Sequence, residues 1–546
     1  MKRFISRFPW LIPAFILTVL LMLGARAHPL WGDEAETGIY GRNILTYGIP
    51  KGWDGVNLMG FNDGVTINSD LVENSNPWPQ YYLVALSFKL FGISSFTARI
   101  PFILFGVGSL IVLWYLVDDL VGNRSLATLT VVKSGFNIAL ILYLYQARYF
   151  SLVTFFGLLF IWGAFRIRDG GAKWFATCVV SGILGIYSQP MAFILLVPSL
   201  LFSLIWSVWR SPARKKNFWR ISGRLCAAGI IVAAAYAPWV YWMKPLEGRG
   251  FFMVPPLQEL PLALWNVASF LYQRINETNT LPVLLLPFVI WYFLHRDTNS
   301  KRRMLVAVLG IAVVVYFLIG VLLDVFTASD SPVTTIRYHV IVLPMLMVVA
   351  VGVIQWLREQ KRWLGGIIYV VYLVSSFFTI SIPRSLLVDY LGEVLHPYEA
   401  PDEAVAKYLA EHAKDGDTAY LSLDRDHEPL VFFLNKKIRF INRIPIGSNK
   451  FFPKNFKVLP PYIYQYIGAP KWVILYSTNT KTDTFETLDN IPPPIGVDLT
   501  KLSDMYDETI LPVYFSDMTR PEINLHSFTA IPPAPNDRIF IYHRKM

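Results

Sequence analysis

Three carboxylates, Asp33, Glu34 and Glu36, crowd together directly after a long apolar run. Carboxylates that close to hydrocarbon are costly unless they are solvated or used. At a water–lipid boundary one of them could serve as a general base, taking the proton from an acceptor hydroxyl while a lipid-borne group is transferred. Such proton transfer contributes about 10²–10⁴-fold. The same residues also fit a plain helix start. Asp33 as the cap and Glu36 three residues later have capping-box spacing, with the helix running to Tyr47 and stopping at Gly48. A cap contributes about 1 kcal/mol and does not exclude catalysis.

Two arginines have the complementary chemistry. Gln146-Ala147-Arg148-Tyr149 and Ile336-Arg337-Tyr338-His339 each place a guanidinium beside a tyrosine at the edge of an apolar run. A fork of N–H donors there suits a phosphate, held bidentately. The structural alternative is snorkelling of each arginine at a helix end. Arg274, Arg249, Lys244 and Lys51 are weaker cations of the same compartment. Asp63, Asp70 and Glu73 lack His or Cys at ligand spacing and read as a solvated polar loop; His28 and His339 read as single interfacial histidines. No metal-binding residues and no cofactor are expected, with a divalent metal left open. Asn276-Glu277-Thr278 matches the glycosylation sequon, a short and unspecific pattern. There is no P-loop, dinucleotide-binding turn or Ser/His/Asp elbow, so the energy of any transfer must arrive with an activated substrate.

The elements that would position these residues are membrane helices. The chain has 546 residues, 54% hydrophobic and only 16% charged, against about 25% charged in soluble domains. Apolar runs near the spanning length of about 20 residues fall at 9–27, 98–118, 125–145, 150–166, 173–189, 190–209, 222–243, 279–295, 303–325, 338–357 and 363–382. The net charge of +11 is not a nucleic-acid signal, because residues 384–546 hold 18 Lys+Arg against 21 Asp+Glu. The excess of cations lies in every second loop of the first part, as Arg166, Arg168 and Lys173, then Arg210 to Arg224, Arg296 to Arg303, and Arg358 to Arg362. That is the positive-inside pattern with a cytoplasmic N-terminus. Asp118-Asp119 weakens it, and Lys133 inside the third run has no explanation from sequence. Cys178 and Cys226 lie in apolar runs and are not expected to pair.

The predicted fold is therefore membrane α-helical, with about eleven spans over residues 1–382 and a long first periplasmic loop over residues 28–97. A soluble periplasmic α/β domain follows over residues 383–546. Within the first loop, Tyr81 to Phe91 is apolar but too short to span and is expected in the interface. In the last part the spacing predicts a helix over Pro401–Ala413. Strands are predicted at Thr418–Leu423, Lys437–Ile441, Trp472–Tyr476, Leu511–Phe515 and Arg538–Tyr542.

In its first loop the chain resembles the polytopic glycosyltransferases of the protein O-mannosyltransferase and lipid A aminoarabinose transferase type, in the glycosyltransferase C superfamily. Their loop opens with an Asp-Glu pair, here Asp33-Glu34. It closes with a segment matched by Asn76-Pro77-Trp78-Pro79-Gln80-Tyr81-Tyr82, then Leu90-Phe91-Gly92 and Ala98-Arg99-Ile100-Pro101. The resemblance implies transfer of a sugar from a polyprenyl-phosphate donor to a lipid, glycan or protein hydroxyl, on the periplasmic side of the inner membrane. It implies Asp33, and with it Glu34, as catalytic carboxylates. It also implies Arg148 with Tyr149 and Arg337 with Tyr338 near the donor phosphate. The aminoarabinose transferases carry Lys where this chain has Asn76, so the expectation is a generic lipid-phosphosugar transferase. The alternative of another class is a lipid or glycan transporter, which would need polar or broken helices in mid-membrane.

Overall fold

The computed structural model describes residues 8–59, 67–68, 70–210, 217–243, 256, 258–295, 297, 299–326, 336–377, 386–396, 399–421, 427–441, 469–477, 502–512, 526 and 538–545. The chain enters through α1 (Leu11–Ala27) and turns by 86° into α2 (Gly32–Tyr47). After a loop come α3 (Pro79–Phe91), α4 (Ser95–Val121), α5 (Arg124–Gly135), α6 (Ile138–Leu144), α7 (Phe150–Arg166) and α8 (Ala172–Ile186). The bundle continues through α9 (Pro190–Arg210), α10 (Phe218–Met243), α11 (Leu260–Glu277) and α12 (Leu286–Leu294). It closes with α13 (Ser300–Phe326), α14 (Val342–Gln360) and α15 (Arg362–Val374).

Six of the described helices are long and apolar enough to cross a membrane, or eight if each of two bent pairs is one span. The eleven predicted spans are thus met in part. The run predicted as one span over 125–145 is broken, because α5 and α6 meet at 72° where Asn137 caps α6 by accepting from the Leu140 N–H at 2.9 Å. The run at 279–295 holds only a nine-residue α12 after a 3-10 turn. Lipid-facing character is plain on the outside of the bundle, where Phe15, Leu104, Ile230 and Val314 are each more than two-thirds exposed.

Several polar side chains inside the bundle have clear partners. Lys133, unexplained in the sequence, donates to the Tyr372 carbonyl at 2.6 Å and to Ser376 Oγ at 2.5 Å. It therefore serves the open carbonyls at the C-terminal end of α15. Asp119, which disturbed the charge pattern, is neutralised by Arg166. Pro101 inside α4 has no N–H for the Thr97 carbonyl four residues back; the Ser87 hydroxyl donates to that carbonyl instead, at 2.5 Å. This bond pins α3 to the start of α4. As predicted, α3 is short and presents an apolar row to the outside, with Tyr82, Leu86, Leu90 and Phe91 exposed.

After the bundle, α16 (Leu386–Leu395), α17 (Pro401–His412) and α18 (Glu428–Phe433) accompany a five-stranded sheet. Its strands are β1 (Thr418–Leu421), β2 (Arg439–Ile441), β3 (Trp472–Ser477), β4 (Tyr506–Pro512) and β5 (Arg538–Arg544), in the order β2-β1-β3-β5-β4. β1 pairs in parallel with β2 and β3, and β5 antiparallel with β3 and β4. The fourth strand was predicted at Leu511–Phe515 and lies earlier. It is an edge strand whose Asp507 and Glu508 face out, so polar residues suited to an edge hid it from an apolar-run search.

One hydrophobic core joins this sheet to the first loop: Leu30, Ala35, Ile39, Val84 and Phe88 pack with Val405, Leu430, Phe432 and Ile541. A Cβ on Gly41 would lie 2.6 Å from Val84, and one on Gly38 2.7 Å from Phe432. Glycine at both positions lets α2 lie tightly between α3 and α18, outside the spanning bundle.

Candidate active site

Helix α2 begins at Gly32 with Trp31 at the cap, and no side chain caps it. The capping-box expectation is thereby corrected: Asp33 lies inside the first turn and Glu36 turns to an arginine. The helix stops at Gly48 with φ +77°, as predicted.

Glu34 is fully buried and receives Arg99 through two N–H groups, Nε at 2.8 Å and Nη2 more closely. The same guanidinium donates to the carbonyls of Ala25 (3.1 Å), His28 and Pro29 (2.8 Å). Glu34 Oε1 also accepts the Ala147 N–H at 2.7 Å. One buried ion pair therefore fastens the end of α1, the start of α2, the start of α4 and the turn that carries Arg148. Charge-assisted bonds of this kind hold geometry well. Glu34 was grouped with Asp33 as catalytic; its side chain is sealed from solvent and directed at this frame.

Asp33 is the open member, with its side chain 32% exposed. Its Oδ2 accepts from Arg148 Nη2 at 3.2 Å and from Arg337 Nη1 at 3.4 Å. Arg148 also donates to the Asp33 carbonyl (3.2 Å), to Thr37 Oγ1 (3.1 Å) and to Glu36 Oε2 (3.5 Å). Each guanidinium lies over the ring that follows it, Arg148 5.7 Å from Tyr149 and Arg337 5.3 Å from Tyr338. Those two rings stack at 6.3 Å and 17°. Both arginines singled out in the sequence thus meet at Asp33, each beside the tyrosine that follows it.

Other expectations fare differently. Glu73, expected in a solvated loop, is fully buried and organises it. It accepts from Tyr40 Oη (3.0 Å), the Ser75 N–H (3.0 Å) and the Asn76 N–H (2.8 Å). Asp70 lies on the surface of that loop. Thr278 of the sequon is buried, and its carbonyl accepts from Asn137 Nδ2 at 2.9 Å. His339 is buried with its Nδ1 3.0 Å from Tyr316 Oη. Asp63, Lys244 and Arg249, and the side chain of Arg274, lie outside the described residues. Among the described residues, one group could hold a metal ion, His28 with Glu393 and His526.

Glu36 carries a testable electrostatic signature. Burial pushes its carboxyl well above the ordinary 4.5; Arg148 opposes this, and Glu73, Asp33 and Glu428 add to the rise. A raised value in the fold means that folding favours the neutral form, so the stability linked to Glu36 is full below about pH 4.5 and is lost as pH rises through the folded value. The melting temperature of the wild type is expected to fall relative to Glu36→Gln as pH rises above about 5. Parallel melting curves across that range would remove the linkage.

Residues 75–242 match the family model described as dolichyl-phosphate-mannose-protein mannosyltransferase. No curated protein matches the chain significantly. Among solved structures, ArnT from Cupriavidus metallidurans bound to undecaprenyl phosphate is similar with a TM-score of 0.55 at 12% identity, over 97% of this chain and 96% of that one. The apo form of the same ArnT gives 0.51 at 14% identity, over 80% and 87%. The mycobacterial arabinofuranosyltransferase AftD gives 0.51 at 13% identity, covering 100% of this chain but 40% of that one. The chain is thus a multi-pass membrane protein whose fold is like that of ArnT and whose residues 75–242 are similar to the mannosyltransferase family.

Proposed function

We propose that this chain transfers a sugar from a polyprenyl-phosphate donor to a hydroxyl acceptor on the periplasmic face of the inner membrane. The observation that carries this is the single carboxylate oxygen, Asp33 Oδ2, facing two arginines that come from positions 148 and 337 of the chain. A base and a phosphate clamp are thereby within one side chain's reach. Arg148 Nε is buried and has no hydrogen-bond partner among the described residues, a donor that a phosphate oxygen would satisfy. The undecaprenyl phosphate bound to the ArnT relative supports the same class of donor.

In the proposed reaction the acceptor oxygen attacks the anomeric carbon in one displacement. Its proton passes to Asp33, the bond from that carbon to the phosphate oxygen breaks, and the electron pair leaves with the lipid phosphate. Arg148 and Arg337 stabilise the charge on that leaving group, the electrostatic contribution that is usually largest. Glu34 acts through Arg99 and the Ala147 N–H, holding Asp33 and Arg148 in register. For the topology we favour eleven spans with the N-terminus cytoplasmic, supported by the alternating basic loops. Residues 28–97 then form the catalytic loop and residues 383–546 a periplasmic α/β domain that could select lipid, glycan or protein acceptors. Lys133, the charge left unexplained inside a predicted span, caps α15 and lends the alternative transporter reading no support.

Arg148→Lys and Arg337→Lys are each expected to raise the donor KM by roughly 10- to 150-fold, the equivalent of about 1.5–3 kcal/mol for a lost charged hydrogen bond. Titration of polyprenyl-phosphate sugar into purified protein measures this. A KM unchanged in both variants would place the phosphate elsewhere. Mass spectrometry of envelope lipids and glycans with and without the protein would name the sugar by the mass that disappears.

A further inference from the structure

His28, Glu393 and His526 come from three distant parts of the chain and meet behind the Asp33 turn, all three buried. Their ligand atoms all lie within 4.8 Å of one another. Glu393 Oε2 stands 3.2 Å from His28 Nε2 and 3.0 Å from His526 Nε2. Zinc bonds nitrogen and oxygen at about 2.0–2.2 Å, which sets the ligands of a tetrahedral site about 3.3 Å apart. Both distances to Glu393 Oε2 are close to that spacing.

His28 is also prepared as a ligand. Its Nδ1 is 2.5 Å from Tyr145 Oη, the kind of outer contact that fixes the tautomer and turns the other nitrogen inward. That inward Nε2 is buried and stands 3.2 Å from Glu393 Oε2. Tyr390 closes the side of the cluster, its ring 6.1 Å from the His28 ring.

We propose that His28 Nε2, Glu393 Oε2 and His526 Nε2 bind one divalent transition-metal ion, zinc by the chemistry of two imidazoles and a carboxylate. The ion would tie three segments together. His28 ends α1 five residues before Asp33, Glu393 lies on α16, and His526 belongs to the C-terminal part. None of the three faces Asp33 Oδ2 among its described partners, so the ion is a clamp that positions the first loop and takes no part in sugar transfer.

The test uses the full chain in detergent, purified without chelator, equilibrated with zinc and desalted. Elemental analysis is expected to give about one zinc per chain. His526→Gln and Glu393→Gln are expected to fall below half of that content, while His412→Gln, an exposed histidine on α17, keeps it. Zinc should raise the melting temperature of the wild type and of His412→Gln but not of His526→Gln. Cobalt bound in place of zinc should give the visible absorption of a four-coordinate ion in the wild type and in His412→Gln, and the wild-type spectrum decides the matter even if a variant folds poorly. Wild-type protein with less than half an equivalent of zinc, or a folded His526→Gln that keeps half or more of the wild-type content, overturns the site and leaves a purely hydrogen-bonded triad.

Discussion

Replacing Asp33 by Asn is expected to lower the rate of sugar transfer by about 10²–10⁴-fold, the contribution of a positioned general base. Asn keeps the shape of Asp and an oxygen that can accept from Arg148 and Arg337, while it loses the capacity to take a proton. The loss should therefore appear in kcat, with donor KM changed far less, since the clamp remains. The measurement is transfer from a polyprenyl-phosphate sugar by purified protein that elutes and melts like the wild type. A wild-type rate in such protein removes Asp33 from the chemistry and leaves it as a surface ion pair.

The second large effect concerns stability. Glu34→Gln or Arg99→Met leaves one charge of a fully buried pair without its partner, a change that costs about 3–5 kcal/mol. Each single variant is expected to be poorly recovered from the membrane or to unfold at markedly lower denaturant. The double variant Glu34→Leu with Arg99→Leu should recover much of that loss, because replacing both charges removes the stranded ion. It should nevertheless transfer sugar slowly, since the Ala147 N–H and the carbonyls of Ala25, His28 and Pro29 lose their shared anchor. A double variant as unstable as the singles would show that the pair is not the source of the cost. One that is stable and fully active would show that the frame does not position Asp33.

Much of this arrangement was legible in the chain itself, for identifiable reasons. The spanning helices announce themselves because apolar side chains must face lipid, and basic loops mark one side of the membrane through their charge. The stop of α2 at Gly48 follows from a left-handed backbone that glycine tolerates best. Arg148 and Arg337 could be singled out because a guanidinium beside tyrosine at a helix end is readable as a local pattern. Local patterns also mislead. Asp33 and Glu36 have capping-box spacing, yet Trp31 holds the cap position with no side-chain bond and Glu36 goes to Arg148, a partner 112 residues away. Glu73 reads as a loop residue and is buried, because its oxygens close the turn at Ser75 and Asn76.

By itself the sequence determined the class of molecule, the polar turn after the first span and the residue types that face it. Hydrophobicity, charge and backbone preference act locally, and such forces leave their mark in adjacent residues. Which carboxylate stays open was decided only in three dimensions. Glu34 is sealed because Arg99, 65 residues on, reaches it, and Asp33 is exposed because it faces two arginines across the bundle. The meeting of His28 with Glu393 and His526 is likewise invisible in the chain. Such pairings depend on how the helices and the sheet pack, and packing brings together residues whose spacing along the chain carries no signal.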